Sequence, residues 1–343
     1  MGQMKVSVVL CTYQGGRFLA EQLQSIFAQT RRPDEIILSD DASTDDTATI
    51  AEELLGSSGI AHEIHVNEQN LGFRQNFAQA MQRAKGDILF LSDQDDVWHP
   101  EKIARMLVPF EHPETLMAFH DAALVDSALQ PLAPSFWHTM TFDPVPFQKG
   151  DYRHLLVSNV VQGSASAFRR SLLQDALPIP EIAIHDEWLA LFAALRGGLV
   201  PVPEVLMQYR QGEGNALGAG SVNKCDLVMR WLRHLQAKSV AARSELGRRR
   251  ALLAAWLPRA GTLAPRAPFL REAAGSIRWL DRRIAAVGRG PGAVFSHAGN
   301  YCAIPGCRLA CKEGLKDFIV AFVSRMTRQK IKTGRNEERD STR

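Results

Sequence analysis

The sequence predicts an α/β fold with a mainly parallel sheet covered by helices on both faces. Two observations carry this. β-branched runs alternate with helical segments over the first hundred residues, an order that implies right-handed crossovers between parallel strands. The segments between the runs carry apolar residues at helical spacing, as in Phe18, Leu19, Leu23, Ile26 and Phe27, which buries one stripe of each helix.

In chain order, "KVSVVLCTY" reads as a strand, "RFLAEQLQSIFAQ" as a helix, "DEIILSD" as a strand and "DDTATIAEELL" as a helix. "AHEIHVN" (strand), "GFRQNFAQAMQRA" (helix) and "DILFLSD" (strand) complete the alternation. Past residue 100 the pattern is mixed. "PEKIARMLVPF" starts with Pro at the head of a helix, and "LMAFHDAALVDSALQPL" reads as a long strand and hairpin turn. "GSASAFRRSLL" and "VPEVLMQYR" are further strands flanking the helix "HDEWLALFAALRGG". The Gly-rich stretch "GEGNALGAGS" marks a boundary, giving a first domain over 1–220 and a basic helical region over 221–343.

At 343 residues and 45% hydrophobic content the chain is globular and long enough for one large domain or two modest ones. No stretch approaches the roughly 18–20 apolar residues of a membrane span. "MGQMKVSVVLCTYQGG" lacks a secretory pattern, so the expected compartment is the cytoplasm. Cys11, Cys225, Cys302, Cys307 and Cys311 are an odd set that favours free thiols. The net charge of +3 conceals a division: residues 1–220 hold 15 Lys and Arg against 28 Asp and Glu, and the remainder 25 against 9. A basic second region suits an anionic partner surface, although a merely solvated helical surface would look the same.

Several chemistries fail on local tests. The first strand runs into "TYQGGRFL" rather than G-x-G-x-x-G, and neither a P-loop nor a G-x-S-x-G elbow occurs. His62 and His65 suit a structural or surface role. His297, Cys302, Cys307 and Cys311 match no standard zinc spacing.

What remains is acid at strand ends, where ligands of such sheets sit. "LSDQDDVW" puts three carboxylates in four positions. Such crowding needs a cation among them, because like charges repel and a buried carboxylate without compensation is costly. Asp93 and Asp95 form D-x-D, a donor pair for a hard ion such as Mg²⁺ or Mn²⁺, which would keep positions open for the phosphates of a diphosphate substrate.

The blocks "LCTYQGGRFLAEQLQSI", "IILSDDASTDDT", "NLGFRQNFAQAM", "ILFLSDQDDVWHPEKI", "IHDEWLALFAA" and "VPEVLMQYRQ" resemble, in this order, family 2 glycosyltransferases of the GT-A (nucleotide-diphospho-sugar transferase) fold. That fold has a Rossmann-like mixed sheet. The resemblance covers about residues 4–218, and "SDQDDVW" and "HDEW" followed by "YRQ" look like the bacterial rhamnosyltransferase-like branch. It implies a nucleotide pocket at Thr12, Tyr13, Asp40 and Asp41. Asp93 would lie toward the ribose and metal, Asp95 would be the direct ligand of Mg²⁺ or Mn²⁺, Arg210 would belong to a segment closing over the donor, and Asp186 would be the catalytic base. Glu187 is the substitute base, and Asp96 stays open between this site and a turn or cap. Gly212 stands where relatives often carry His, and the processive Q-x-x-R-W signature is absent, which favours transfer of one sugar per encounter.

The expected activity is inverting, metal-dependent transfer from a nucleotide-diphosphate sugar, dTDP-rhamnose or a UDP-hexose, to a hydroxyl of a lipid-linked glycan. The product would be a bacterial surface polysaccharide such as O-antigen or capsule. A nucleotidyltransferase or a non-catalytic glycan-binding protein are the alternatives, and nucleic acid is not an expected partner. In "RLACKEGLKDFIVAFVSRMTRQKIK", Leu315, Phe318, Ile319, Phe322 and Met326 share a helical face beside Lys312, Lys316 and Arg325. This suits peripheral attachment to an anionic membrane's inner face, or packing on the catalytic domain.

Overall fold

The computed structural model describes residues 4–211 and 227–289. By internal contacts the chain divides into two compact units, Met1–Tyr152 with Asn159–Ala219, and Arg153–Ser158 with Gly220–Arg343.

The first unit opens with β1 (Val6–Thr12), α1 (Leu19–Phe27), β2 (Glu35–Asp40), α2 (Thr47–Ser57), β3 (Ala61–Val66), α3 (Phe73–Arg83) and β4 (Ile88–Ser92). It continues with β5 (Val97–Trp98), α4 (Lys102–Leu107), β6 (Met117–Val125), β7 (Pro131–Ala133) and the short helices α5 (Phe136–Thr139) and α6 (Val145–Gln148). β8 (Ser166–Arg169), α7 (Leu172–Ala176), α8 (His185–Leu195) and β9 (Leu199–Arg210) complete it. Among the described residues nine strands form one sheet in the order β3-β2-β1-β4-β8-β6-β9-β5, with β7 paired to β6.

β1 to β4 are mutually parallel. β8 then enters antiparallel to β4 and β6, and β6 and β9 run parallel. The sheet is therefore mixed, as the family resemblance implies and the strand-helix alternation alone does not. β1 is buried at all seven positions, which a strand between two parallel neighbours requires and its apolar run supplies. β3 is the edge and largely exposed, so it tolerates His62, Glu63 and His65. Arg83 of α3 pairs with Glu63 at 3.0 Å and lies 3.3 Å from His65, and charge on an edge discourages pairing with other chains. The expected hairpin is present as β6 and β7.

Register fixes where chemistry can occur. Thr12 lies beside Asp40 and Leu10 beside Ser92, so the residues after β1, β2 and β4 emerge along one carboxyl edge of the sheet. β5, two residues long and unforeseen from the sequence, pairs Val97 with Gln208 and Trp98 with Met207. That pairing brings the end of β9 against the D-x-D turn.

In the second unit α9 (Leu227–Leu263) and α10 (Pro268–Arg289) pack together around buried Leu252, Leu253, Trp256, Phe269, Trp279 and Leu280. Arg271, Arg278 and Arg282 are exposed. The amphipathic stretch around 312–326, Cys225, His297 and the cysteines beyond residue 300 lie outside the described residues, and no described helix is long and apolar enough to cross a membrane.

Candidate active site

Asp93 and Asp95 are half-buried on the turn after β4, and Asp96 is fully buried. Burial and the charge of Asp95 push Asp93 up to about 7. Asp95 is raised by burial, and Asp96 is raised well above the usual carboxylate range by burial and then by Asp95 and Asp93.

The cation that such crowding demands is Lys102, fully buried on α4. Its Nζ donates to the Ser164 carbonyl at 2.5 Å and stands 3.7 Å from the Trp98 ring centroid, a favourable cation–π distance. Burial lowers its pKa, and Asp96 and Asp93 oppose that shift. Sequence reasoning missed Lys102. The available signal was its place in "HPEKIARM", on the helix face shared with buried Ile103 and Met106.

One ammonium does not balance three carboxylates, and Asp96 Oδ2 is buried with no hydrogen-bond partner among the described residues. The donor set therefore fits a hard divalent cation, which would offset the repulsion that raises Asp93 and Asp95. Among the described residues no group of three or more His, Cys, Asp or Glu side chains could hold a metal ion. Such an ion would thus depend on Asp93 and Asp95 plus substrate oxygens, the usual manner of Mg²⁺.

Asp96 Oδ1 accepts the Arg210 backbone N–H at 3.2 Å, which gives Asp96 a structural partner on β9. The Arg210 side chain is also turned inward. Its Nε donates to the Asp95 carbonyl at 2.7 Å, Nη1 to the Ser127 carbonyl at 2.6 Å and Nη2 to Glu21, while its guanidinium lies 4.5 Å from the Phe18 ring centroid. Arg210 thus braces the D-x-D turn through the Asp95 carbonyl and the Asp96 carboxylate.

Gln94, between the two acids, bonds the Tyr13 backbone at both ends: Oε1 accepts from Tyr13 N at 2.8 Å and Nε2 donates to Tyr13 O at 3.0 Å. A Cβ on Gly15 would fall 2.2 Å from that Oε1, so a larger residue here would push the Gln94 amide off the Tyr13 backbone.

At the end of β2, Asp40 accepts from Thr12 Oγ1 at 2.6 Å, Ser43 Oγ at 2.6 Å and Ser43 N at 2.8 Å, bonds that fix the turn after the strand. Asp41 accepts from Asn67, Leu71 N and Gly72 N, each at 2.8 Å. Tyr13 is 48% exposed, leaving its ring available to a base. Burial, then Asp93 and Asp41, push the Cys11 thiol up, so Cys11 lies between the acids that follow β2 and those that follow β4.

Asp186 stands in the first turn of α8, 8% exposed, and accepts from Asn159 Nδ2 at 3.2 Å and the Glu187 N–H at 2.5 Å. Glu187 is fully buried. Burial holds the Tyr209 phenol far above its ordinary range, and Asp93, Asp96, Asp95 and Asp186 add to the shift. One ring on β9 therefore senses both the D-x-D acids and Asp186. Asn159 and Tyr209 were not foreseen as site residues, although Tyr209 lies within the "QYRQ" of the resemblance.

The model of "Glycosyl transferase family 2" matches residues 7–177, from β1 through α7. An uncharacterized protein of Mycobacterium tuberculosis is 29% identical over 215 residues, 60% of this chain and 58% of that protein. The chain's match thus spans less than two thirds of that relative. The dTDP-rhamnosyl transferase RfbG of Shigella flexneri is 26% identical over 220 residues, 61% of this chain and 74% of that one. The crystal structure of S. aureus TarS 1-349 in complex with UDP-GlcNAc aligns at a TM-score of 0.53 and 17% identity, over 95% of this chain and 92% of that chain, a likeness of fold. With the mixed sheet, the acids at its carboxyl edge and the matched span in agreement, the chain has the GT-A fold and belongs to glycosyl transferase family 2.

Proposed function

We propose that the protein is an inverting glycosyltransferase that uses a divalent metal to move one sugar from a nucleotide-diphosphate sugar to an acceptor hydroxyl. The observation that carries this is the joining, through the segment 159–164, of a carboxylate cluster suited to a hard cation with a separate carboxylate on α8: Ser164 binds Lys102 beside the cluster and Asn159 binds Asp186. Mg²⁺ or Mn²⁺ bound by Asp93 and Asp95 would neutralise the departing diphosphate. Lys102 and Arg210 hold the D-x-D turn in place, while Thr12, Tyr13, Asp40 and Asp41 shape the nucleotide end. Asp186 takes the proton of the acceptor hydroxyl as its oxygen bonds to the anomeric carbon. The bond from that carbon to the phosphate oxygen breaks with its electron pair leaving on phosphate. One displacement from the opposite face inverts configuration.

The donor we favour is dTDP-rhamnose or a UDP-hexose, because a relative is named a dTDP-rhamnosyl transferase and a structural neighbour was solved with UDP-GlcNAc. The acceptor in this reading is a lipid-linked glycan of bacterial surface polysaccharide such as O-antigen or capsule, reached from the cytoplasmic face of the membrane. The 25 Lys and Arg against 9 Asp and Glu beyond residue 220 favour attachment to anionic lipid there.

Turnover of UDP-glucose, UDP-GlcNAc, GDP-mannose and dTDP-rhamnose with Mn²⁺ tests the core of this. Asp186→Asn, which is isosteric, should lower turnover by about 10²–10⁴-fold, and Asp95→Ala should abolish its Mn²⁺ dependence. Unchanged turnover in both variants would refute the assignments.

A further inference from the structure

A general base must present its oxygen to the acceptor at hydrogen-bond distance, so its rotamer matters as much as its charge. Asp186 Oδ1 is held from two sides, by the Glu187 N–H at 2.5 Å within α8 and by Asn159 from outside it. Asn159 Nδ2 donates to Asp186 Oδ1 at 3.2 Å, and Asn159 is itself tied at both ends of its amide: Nδ2 donates to the Val161 carbonyl at 3.0 Å and Oδ1 accepts the Val161 N–H at 3.1 Å. Only one orientation of the amide satisfies all three bonds.

Four residues on, Gly163 faces the same carboxylate. A Cβ there would lie 2.8 Å from His185 Nε2 and 3.7 Å from Asp186 Oδ2, so the His185 ring requires glycine at this position beside the carboxylate. The next residue, Ser164, receives Lys102 through its carbonyl. The segment 159–164 therefore touches both halves of the site, Asp186 through Asn159 and the D-x-D acids through Lys102.

We infer that Asn159 is a positioning residue for the base: its amide holds the Asp186 carboxylate in the rotamer that meets the acceptor, from the same segment that anchors Lys102. This rests on the reading of Asp186 as the base. Among the described residues, the titratable groups around Asp186 include His185 and Glu187 on α8, Tyr209 on β9, and Arg74 on α3, whose charge reaches His185. All stay constant in the variants below, so differences between variants report on residue 159.

The test compares Asn159→Ala and Asn159→Asp with the wild-type chain, using the four nucleotide sugars above with Mn²⁺. Asn159→Ala should lower kcat by about 10-fold with the donor KM within about 2-fold, the pattern of a loss felt in the transition state. Asn159→Asp, which sets a second carboxylate beside the base, should also move the acid limb of the pH–kcat profile up by about one unit. A ¹³C NMR titration of the Asp186 carboxyl, identified by its disappearance in Asp186→Asn, reads the contact without turnover, and its midpoint should rise in both variants. An unmoved midpoint in the folded variants overturns the inference. So does equal loss of kcat and melting temperature in the two variants with an unchanged pH profile. Should Asp186→Asn retain wild-type turnover, the assignment of the base falls, while the NMR midpoint still decides the Asn159 contact.

Discussion

His185 shows how a single residue writes pH dependence into the fold. Its ring stacks on Phe77 at a centroid distance of 4.2 Å, and among the described residues neither ring nitrogen has a hydrogen-bond partner. Burial, then the charge of Arg74, lowers its pKa to about 3. In the second unit His154 is lowered to about 4 by burial and Arg249. Both are depressed below the unfolded value near 6.5, so the unfolded chain binds protons first as pH falls. Their contribution is complete above about pH 6.5 and is lost progressively toward pH 3–4. Urea unfolding at pH 7.5 and 4.5 should therefore show a loss of about 2–3 kcal/mol per fully shifted histidine. His185→Phe should recover its share. An unchanged difference between the two pH values in His185→Phe would exclude His185 as the source.

At the scale of elements, the D-x-D turn is braced by pieces distant in sequence. Arg210 ends β9, yet its guanidinium reaches the Asp95 carbonyl 115 residues earlier, the Ser127 carbonyl and Glu21 on α1. The fork of a guanidinium serves acceptors in three directions, which an ammonium cannot reproduce. Arg210→Met should cost about 2–4 kcal/mol, since it strands two carbonyls and half-exposed Glu21. It should also weaken Mn²⁺-dependent UDP binding, and calorimetry that finds wild-type affinity in the folded variant would count against the brace. The position of Arg210 was legible from the "QYRQ" block, but the direction of its side chain was not. That direction depends on β5, whose two residues carry no periodicity, pairing with β9.

On the scale of the whole molecule, charge separates the two regions. Arg271, Arg278 and Arg282 are exposed on α10 at spacings of seven and four, which places them on one helical face. If this region meets anionic lipid, the full chain should sediment with phosphatidylserine vesicles at low salt and release as salt rises. Changing these three arginines to glutamate should reduce the bound fraction severalfold. Equal binding to neutral and anionic vesicles would remove the electrostatic argument.

The sequence by itself determined the succession of strands and helices in the parallel half, the strand ends that carry acid, and the family blocks that single out Asp93, Asp95 and Asp186. These features are local: hydrophobic period and turn chemistry are written within ten or so residues. Only the tertiary structure decided that the sheet turns mixed at β8, that Lys102 is the cation among the acids, and that Asn159 holds Asp186. Lys102 meets Ser164 across 62 residues, and Asn159 meets Asp186 across 27. Neither contact has a sequence signature, because it is the burial of the intervening chain that brings the partners together and makes their pairing obligatory.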